Sequence, residues 1–244
     1  MKTSQYRTIR NLKIAYNRKG NGEVVLLIRG ITTSSFIWRK IQPDLAEYFD
    51  TIAIDLLGCG DSSCDLSADY SIKNQADLIA ELIKDMILIN TIGYNYWPVQ
   101  PITTMRTPIF RQIAMMTLDM GMLQKVIKRG LCKKESYTEE FKTMVWKEMA
   151  DKKRRKSFLH FARCLNNQHL MEIAPELQKI SCPVLIIRGE GDLYLSRIIS
   201  MTLMEDIPNC KFISIKTGGH YIQEDEPELI TSSIIDFFRK NQSR

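Results

Sequence analysis

The sequence predicts an α/β protein built on a mostly parallel sheet with a helical insertion. Three observations predict it. β-rich apolar runs recur at Val24–Ile28, Thr51–Ile54, Ile87–Ile89, Val184–Ile187 and Phe212–Ile215, nearly unbroken by polar residues, as in strands buried on both faces. Stretches of helical periodicity separate most of these runs, the pattern of strands joined by crossover helices. Four of the runs end in loops where glycine accompanies charged or hydroxyl residues.

Taken in order, Tyr6–Ile9 and Lys13–Asn17 read as two short strands, and Gly20-Asn21-Gly22 as a turn. Val24–Ile28 is the first fully buried strand and ends at Arg29-Gly30-Ile31. Helix is expected over Phe36–Tyr48, then strand over Thr51–Ile54. An amphipathic helix is expected over 72–85, with Ile72, Ala76, Ile79 and Ile83 on one face. Ile87–Ile89 is a further strand. Residues 100–178 read as helical and methionine-rich, an insertion rather than more sheet. Alternation then resumes with strand Val184–Ile187, helix Leu195–Ile207, strand Lys211–Ile215 and helix Pro227–Lys240. The chain therefore divides into a first core segment (1–94), a helical insertion forming a lid (95–180) and a second core segment (181–244).

Composition narrows the function. The 244 residues are 44% hydrophobic and 25% charged, which are globular proportions and exclude a disordered or collagenous chain. The net charge of +6 is spread along the chain and demands no nucleic-acid partner. Asp151-Lys152-Lys153-Arg154-Arg155-Lys156 is a basic run, read as the solvated face of a helix. The six cysteines form no CxxC pair, and with only three histidines no full set of zinc ligands can be read, so no metal or cofactor is expected. Scattered thiols suit a reducing cytoplasm. No apolar run reaches the ~18 residues of a membrane span.

In open α/β sheets, ligands bind beyond the carboxyl ends of the strands. An acid after one strand and a histidine after the next can pair there. The carboxylate takes a hydrogen bond from one imidazole nitrogen and leaves the other free as a base. Asp192, in Gly189-Glu190-Gly191-Asp192, and His220, in Thr217-Gly218-Gly219-His220, stand in that relation. Asp192 is also placed to cap the helix that follows. Asn90 ends a strand but cannot carry charge, and reads as structural. His160 and His169, inside the helical insertion, read as ordinary hydrogen-bonding residues.

With these loops in view, the sequence resembles the α/β-hydrolase superfamily over nearly its whole length. The nearest group is the lidded one of epoxide hydrolases, haloalkane dehalogenases and carbon–carbon bond hydrolases. Asp55-Leu56-Leu57-Gly58-Cys59-Gly60-Asp61-Ser62 matches the family pattern D-x-x-G-x-G-x-S at every fixed position. Arg29-Gly30-Ile31 resembles the oxyanion turn, with Arg29 where histidine is usual. The resemblance implies His220 as base, Asp192 as its acid partner and the Ile31 backbone N–H as oxyanion donor. Trp38 and Trp97 are candidate walls of the substrate pocket, beside Tyr94 and Tyr96. Met115, Met116, Met120 and Met122 are either pocket lining or core filler.

One part is missing. The family carries its nucleophile on a strand-to-helix turn, G-x-S-x-G or G-x-D-x-G, and neither pattern occurs anywhere in the chain. Nor does the seam Glu81–Asn90 contain the glycine, proline or turn cluster expected between a helix and a strand. One strand–elbow–helix unit of roughly 25–35 residues is absent by average element lengths. Three readings of function follow. The first is a hydrolase for a small apolar or weakly polar substrate, with ester, epoxide, halide or C–C cleavage open. The second is a pseudoenzyme that binds a ligand or protein in the same cleft. The third is a truncated product of a hydrolase gene. Two structural expectations accompany them. Asp192 and His220 should meet at ~3 Å, with no serine or cysteine at the free ring nitrogen. With the central strand gone, strands Val24–Ile28 and Ile87–Ile89 should close up and pair directly.

Overall fold

The computed structural model describes residues 4–28, 30, 33–80, 86–96, 107–110, 112–113 and 122–242. Strands β1 (Gln5–Ile9) and β2 (Leu12–Lys19) form an antiparallel hairpin. Its turn residues, Arg10 and Asn11, both take positive φ, as a two-residue primed turn requires. β3 (Val24–Leu27) follows. Ile28, expected to extend it, lies outside the strand and is exposed. The helix expected over Phe36–Tyr48 is two pieces, a 3₁₀ turn at Ser35–Trp38 and the short helix α1 (Gln42–Leu45). Pro43 is the reason. Lacking an N–H, it cannot continue a helix begun at Phe36, but it is tolerated in the first turn of a new one.

β4 (Asp50–Ile54) is buried along its whole length. Helix α2 (Ile72–Ala80) and strand β5 (Met86–Ile89) flank the seam. Residues 81–85 of the seam lie outside the described residues. The helical insertion contains α3 (Met122–Arg129), α4 (Glu139–Ala150), α5 (Lys152–Cys164) and α6 (Asn167–Ile173). The last part of the chain supplies β6 (Val184–Gly189), α7 (Arg197–Asp206), β7 (Cys210–Ile215), α8 (Ile222–Asp225) and α9 (Pro227–Gln242). Helix α7 begins two residues later than expected, because Ser196 caps it by accepting the Ile198 N–H. Among the described residues no helix is long and apolar enough to cross a membrane.

The strands form two ladders. One has the order β1-β2-β4-β3, the other β5-β6-β7. Pairing is parallel between β3 and β4, β5 and β6, and β6 and β7. The middle strands, β4 and β6, are fully buried. Two hydrophobic clusters, each drawing on both ladders, hold the halves together. Val25 and Leu27 join Leu185, Ile187 and Ile215 in one, and Ile54 joins Val184 and Ile186 in the other. The ladders therefore present matching faces.

Among the described residues β3 does not pair with β5, which corrects the expectation of closure. Backbone groups alternate in direction along a strand. The Asn90 N–H donates to the Ile187 carbonyl, so Leu88 and Asn90 face β6 while Ile87 and Ile89 face away. By the same rule, the Glu23 carbonyl accepting the Asp50 N–H turns Val24 and Leu26 away from β4. Closure was expected because unpaired groups in a sealed core are costly. The edges are not sealed: Val24, Leu26 and Ile87–Ile89 are all half-buried. Water can satisfy groups at such an edge, so nothing forces the two strands together.

Candidate functional site

The pattern Asp55–Ser62 is a structural knot. The Asp55 carboxylate is buried and accepts the Ser35 N–H at 2.6 Å and the Asp61 N–H at 2.9 Å. It thereby ties the turn after β3 to the turn after β4. Gly60 takes φ +53 and rests on that carboxylate, where a Cβ would overlap it. Gly58, at φ +82, lies against the Tyr70 ring in the same way. Ser62 Oγ donates to the Asp55 carbonyl at 2.7 Å and accepts the Ala15 N–H at 2.8 Å. Each fixed position of the pattern thus has a conformational or hydrogen-bonding reason.

At the carboxyl ends of β6 and β7 the two loops meet. The Gly189 Cα packs on the backbone of Gly218 and Gly219, leaving no room for a side chain. Asp192 Oδ1 accepts the N–H groups of Tyr194 and Leu195 at 2.8 and 3.0 Å, and Oδ2 lies 3.0 Å from His220 Nδ1. The Asp192 side chain is wholly buried. Burial alone would raise its pKa, but the His220 contact and the two backbone N–H bonds together hold it below the ordinary carboxylate value. An ionised carboxylate only accepts hydrogen bonds, so Nδ1 carries a proton, and in the neutral ring Nε2 then offers the lone pair. The imidazole stands edge-on to Tyr194 and Tyr221, with centroids 5.2 and 5.0 Å apart.

The histidine loop is held by its backbone. The His220 N–H donates to the Gly130 carbonyl at 2.7 Å. Asn90 Nδ2 donates to the carbonyls of Gly219 and His220 at 2.8 and 3.0 Å, and Asn90 Oδ1 accepts the Gly189 N–H at 2.9 Å. Asn90 thus joins the ends of β5 and β6 to the histidine loop. Its φ of 40° is one that asparagine tolerates better than most residues. An amide at a strand end was the only sequence signal for this role.

Among the described residues, no side chain hydrogen-bonds His220 Nε2. Ser62 is engaged with Asp55 and Ala15, Ser63 Oγ accepts the Lys13 N–H at 2.9 Å, and Cys59 is buried in a core cluster. The Cys132 thiol lies beside Gly191. Burial, then Asp225, Asp192 and Glu226, push its pKa up, and a protonated thiol is a poor nucleophile.

Trp38 lies within a buried cluster. It is 2% exposed among Leu27, Ile41 and Phe141, and its Nε1 has no hydrogen-bond partner among the described residues. Tyr94 is pinned through its hydroxyl to Asp206 at 2.7 Å, and Tyr96 is exposed. Arg29, Ile31, Trp97, Met115, Met116 and Met120 lie outside the described residues, as does the side chain of Met122. His160 packs edge-on against Tyr70. In the basic run, Asp151 caps α5, Arg154 bonds the Gly60 carbonyl and Asp61, and Lys152, Lys153 and Lys156 are exposed.

Comparison with known proteins gives the same picture of the fold. A family described as alpha/beta hydrolase fold matches residues 23–92. The uncharacterized hydrolase YugF of Bacillus subtilis is 23% identical, over 95% of this chain and 96% of its own. That alignment takes 264 positions, whereas 95% of 244 residues is about 232, so about 32 positions have no residue here. The haloalkane dehalogenase DbeA from Bradyrhizobium elkani is 22% identical, covering 99% of both chains with a TM-score of 0.83. The epoxide hydrolase CorEH is 17% identical, covering 98% of this chain and 99% of its own with a TM-score of 0.80.

Proposed function

Because the chain belongs to the α/β-hydrolase superfamily, we propose that it hydrolyses a small apolar or weakly polar substrate, with His220 as general base and Asp192 as its orienting partner. The observation that carries this reading is the 3.0 Å contact between Asp192 Oδ2 and His220 Nδ1. It fixes the tautomer that leaves Nε2 free to accept a proton. With no side-chain nucleophile at Nε2 among the described residues, water is the attacking group. Its oxygen bonds to the electrophilic carbon as the bond to the leaving group breaks, and its proton passes to Nε2; that proton then goes to a leaving oxygen or carbon, or to solvent when the leaving group departs as halide. Ester, epoxide, carbon–halogen and carbon–carbon bonds all suit this sequence of steps.

The Ile31 N–H is the proposed oxyanion donor and Trp97 a proposed pocket wall. The helical insertion is the proposed lid, a reading favoured by the contact of Gly130 with the histidine loop. The chemistry needs water and no cofactor, and the partner is a small molecule rather than a nucleic acid or a membrane. Six free cysteines favour a reducing compartment such as the cytoplasm. Absence of the elbow pattern favours one alternative, ligand binding in the same cleft without turnover.

The test is hydrolysis of p-nitrophenyl acetate, styrene oxide and 1-bromobutane by the wild type, His220→Ala and Asp192→Asn. General-base catalysis typically contributes ~10²–10⁴-fold. The wild type should exceed His220→Ala by about that factor on at least one substrate, with Asp192→Asn close to His220→Ala. Equal rates for the wild type and His220→Ala on all three leave binding without turnover as the reading.

A further inference from the structure

We propose that Asp225 is the positioning residue that makes the orientation of His220 depend on the seating of the segment after α3. The inference rests on reading His220 as the base for its meaning, but its geometry stands apart from any turnover. The Asp225 side chain belongs to a residue only 4% exposed, and its carboxylate accepts three backbone N–H groups from two distant parts of the chain. Oδ2 takes Gly219 at 2.8 Å and Cys132 at 2.9 Å, and Oδ1 takes Lys133 at 3.0 Å. Gly219 immediately precedes His220. Cys132 and Lys133 belong to the helical insertion.

A second set of bonds runs beside the first. The Gly130 carbonyl accepts the His220 N–H at 2.7 Å and the Tyr221 N–H at 3.4 Å. The insertion and the histidine loop therefore meet as one bonded unit, with Asp225 gripping the backbone on both sides of it and the neighbouring Glu226 holding Lys133 Nζ at 2.7 Å and the Thr217 side chain. Close approach is built into the sequence. A Cβ at Gly219 would overlap the Gly130 carbonyl, one at Gly191 the Cys132 thiol, and one at Gly130 the rings of Tyr194 and Tyr221. Three glycines from three loops thus make room for the same contact.

The consequence is directional. Asp192 fixes the ring through Nδ1 but cannot fix the backbone that carries it. If the insertion lifts, Cys132 and Lys133 withdraw from the carboxylate and Gly130 withdraws from the His220 N–H. The loop then keeps Asn90 as a backbone partner and loses its partners on the insertion side. His220 is held for chemistry when the insertion is down and released when it is up. A carboxylate suits the role because it can accept several N–H donors at once, and bonds from N–H to an ionised acceptor are stronger than neutral ones.

The test reads the imidazole rather than turnover. In the wild type, the His220 Nδ1 proton is followed by NMR together with exchange of the Gly219, Cys132 and Lys133 amides. Asp225→Ala should accelerate exchange at all three amides by at least about tenfold and broaden or abolish the Nδ1 proton signal. Leu185–Ile187 amides in β6 should keep their protection, showing an intact fold. Asp225→Asn retains one acceptor oxygen and should partly restore the signal. Compared with a Lys133→Ala control that loses only the side-chain ion pair to Glu226, Lys133→Pro also removes one backbone donor from the insertion side. It should also accelerate Gly219 exchange and broaden the Nδ1 signal. An unchanged Nδ1 signal in either folded variant overturns the proposal. If Asp225→Ala fails to fold, Lys133→Pro decides alone. A responsive Nδ1 proton in a protein inert toward every substrate would count against the hydrolase reading and not against this one.

Discussion

Gly60 and Asp55 show how far a single position can be read. The pattern D-x-x-G-x-G-x-S marks both residues, and the reason is steric: at φ +53 the Gly60 Cα rests on the Asp55 carboxylate. Gly60→Ala should therefore cost about 2–4 kcal/mol, from a left-handed backbone penalty plus displacement of a buried carboxylate. Urea denaturation would measure it, and a loss below 0.5 kcal/mol, the usual range of neutral surface changes, would contradict the steric account. Asp192 gives a pH-dependent prediction. Its folded pKa lies below the ordinary value, so its stabilising contribution is complete above the unfolded value of about 4 and is lost as pH falls through the lowered folded value. The gap in urea midpoint between wild type and Asp192→Asn should be widest near neutral pH and narrow below about pH 4. A gap constant down to pH 2.5 would remove the linkage. Asp192 and His220 were legible because each follows an apolar strand run in a glycine loop. Asp225 was not: within Glu224-Asp225-Glu226 it looks like a solvated acidic run, and only the folded chain reveals that it accepts N–H groups 92 and 93 positions away.

Elements were legible where burial is complete. β4 and β6 fell within two residues of where the pattern put them, since a strand covered on both faces carries an apolar run, Ile52–Ile54 and Val184–Ile187, with buried Asp50 and Arg188 only toward the ends. The segment over 36–48 was harder. Its apolar spacing suits one helix, yet Pro43 removes a donor and divides it; the proline was visible, and its local effect outweighs the periodicity. For β5 the alternation of backbone direction yields a residue-resolved expectation. The amides of Ile87 and Ile89 should exchange faster than those of Leu88 and Asn90, by at least about tenfold if water is their partner. Uniform protection across the four would mean that some group covers the free edge.

At the scale of the whole molecule, the order of strands and loops was enough to indicate the fold. The open division between β3 and β5 was not indicated, because a sequence shows which strand is missing without showing whether its neighbours will move. Their half-burial decided it: an edge that water can reach carries little penalty, while closing it would disturb clusters already shared by both ladders. Inserting a strand–turn–helix unit of about 30 residues between Ala80 and Met86 should protect the Ile87 and Ile89 amides and raise the melting temperature. Merging of the ladders would appear as exchange protection on both edges together. Failure of either edge to gain protection would argue that the division is intrinsic to this chain.

The division also governs the order in which the chain can organise itself during synthesis. All four strands of the first ladder come from residues 5–54, whereas β5 must wait for β6 across residues 90–183. Contacts close in sequence form sooner, because less chain entropy is lost before they are rewarded. The first ladder can thus take shape while the helical insertion is still being made, but it cannot become stable, since its inner faces pack on residues of the second. Pulse-labelled refolding should find β2 and β4 amides protected ahead of those in β6, with full protection of either arriving only when both ladders dock. The first ladder then acts as a waiting template, and the slow event in this protein's life is the arrival of β6.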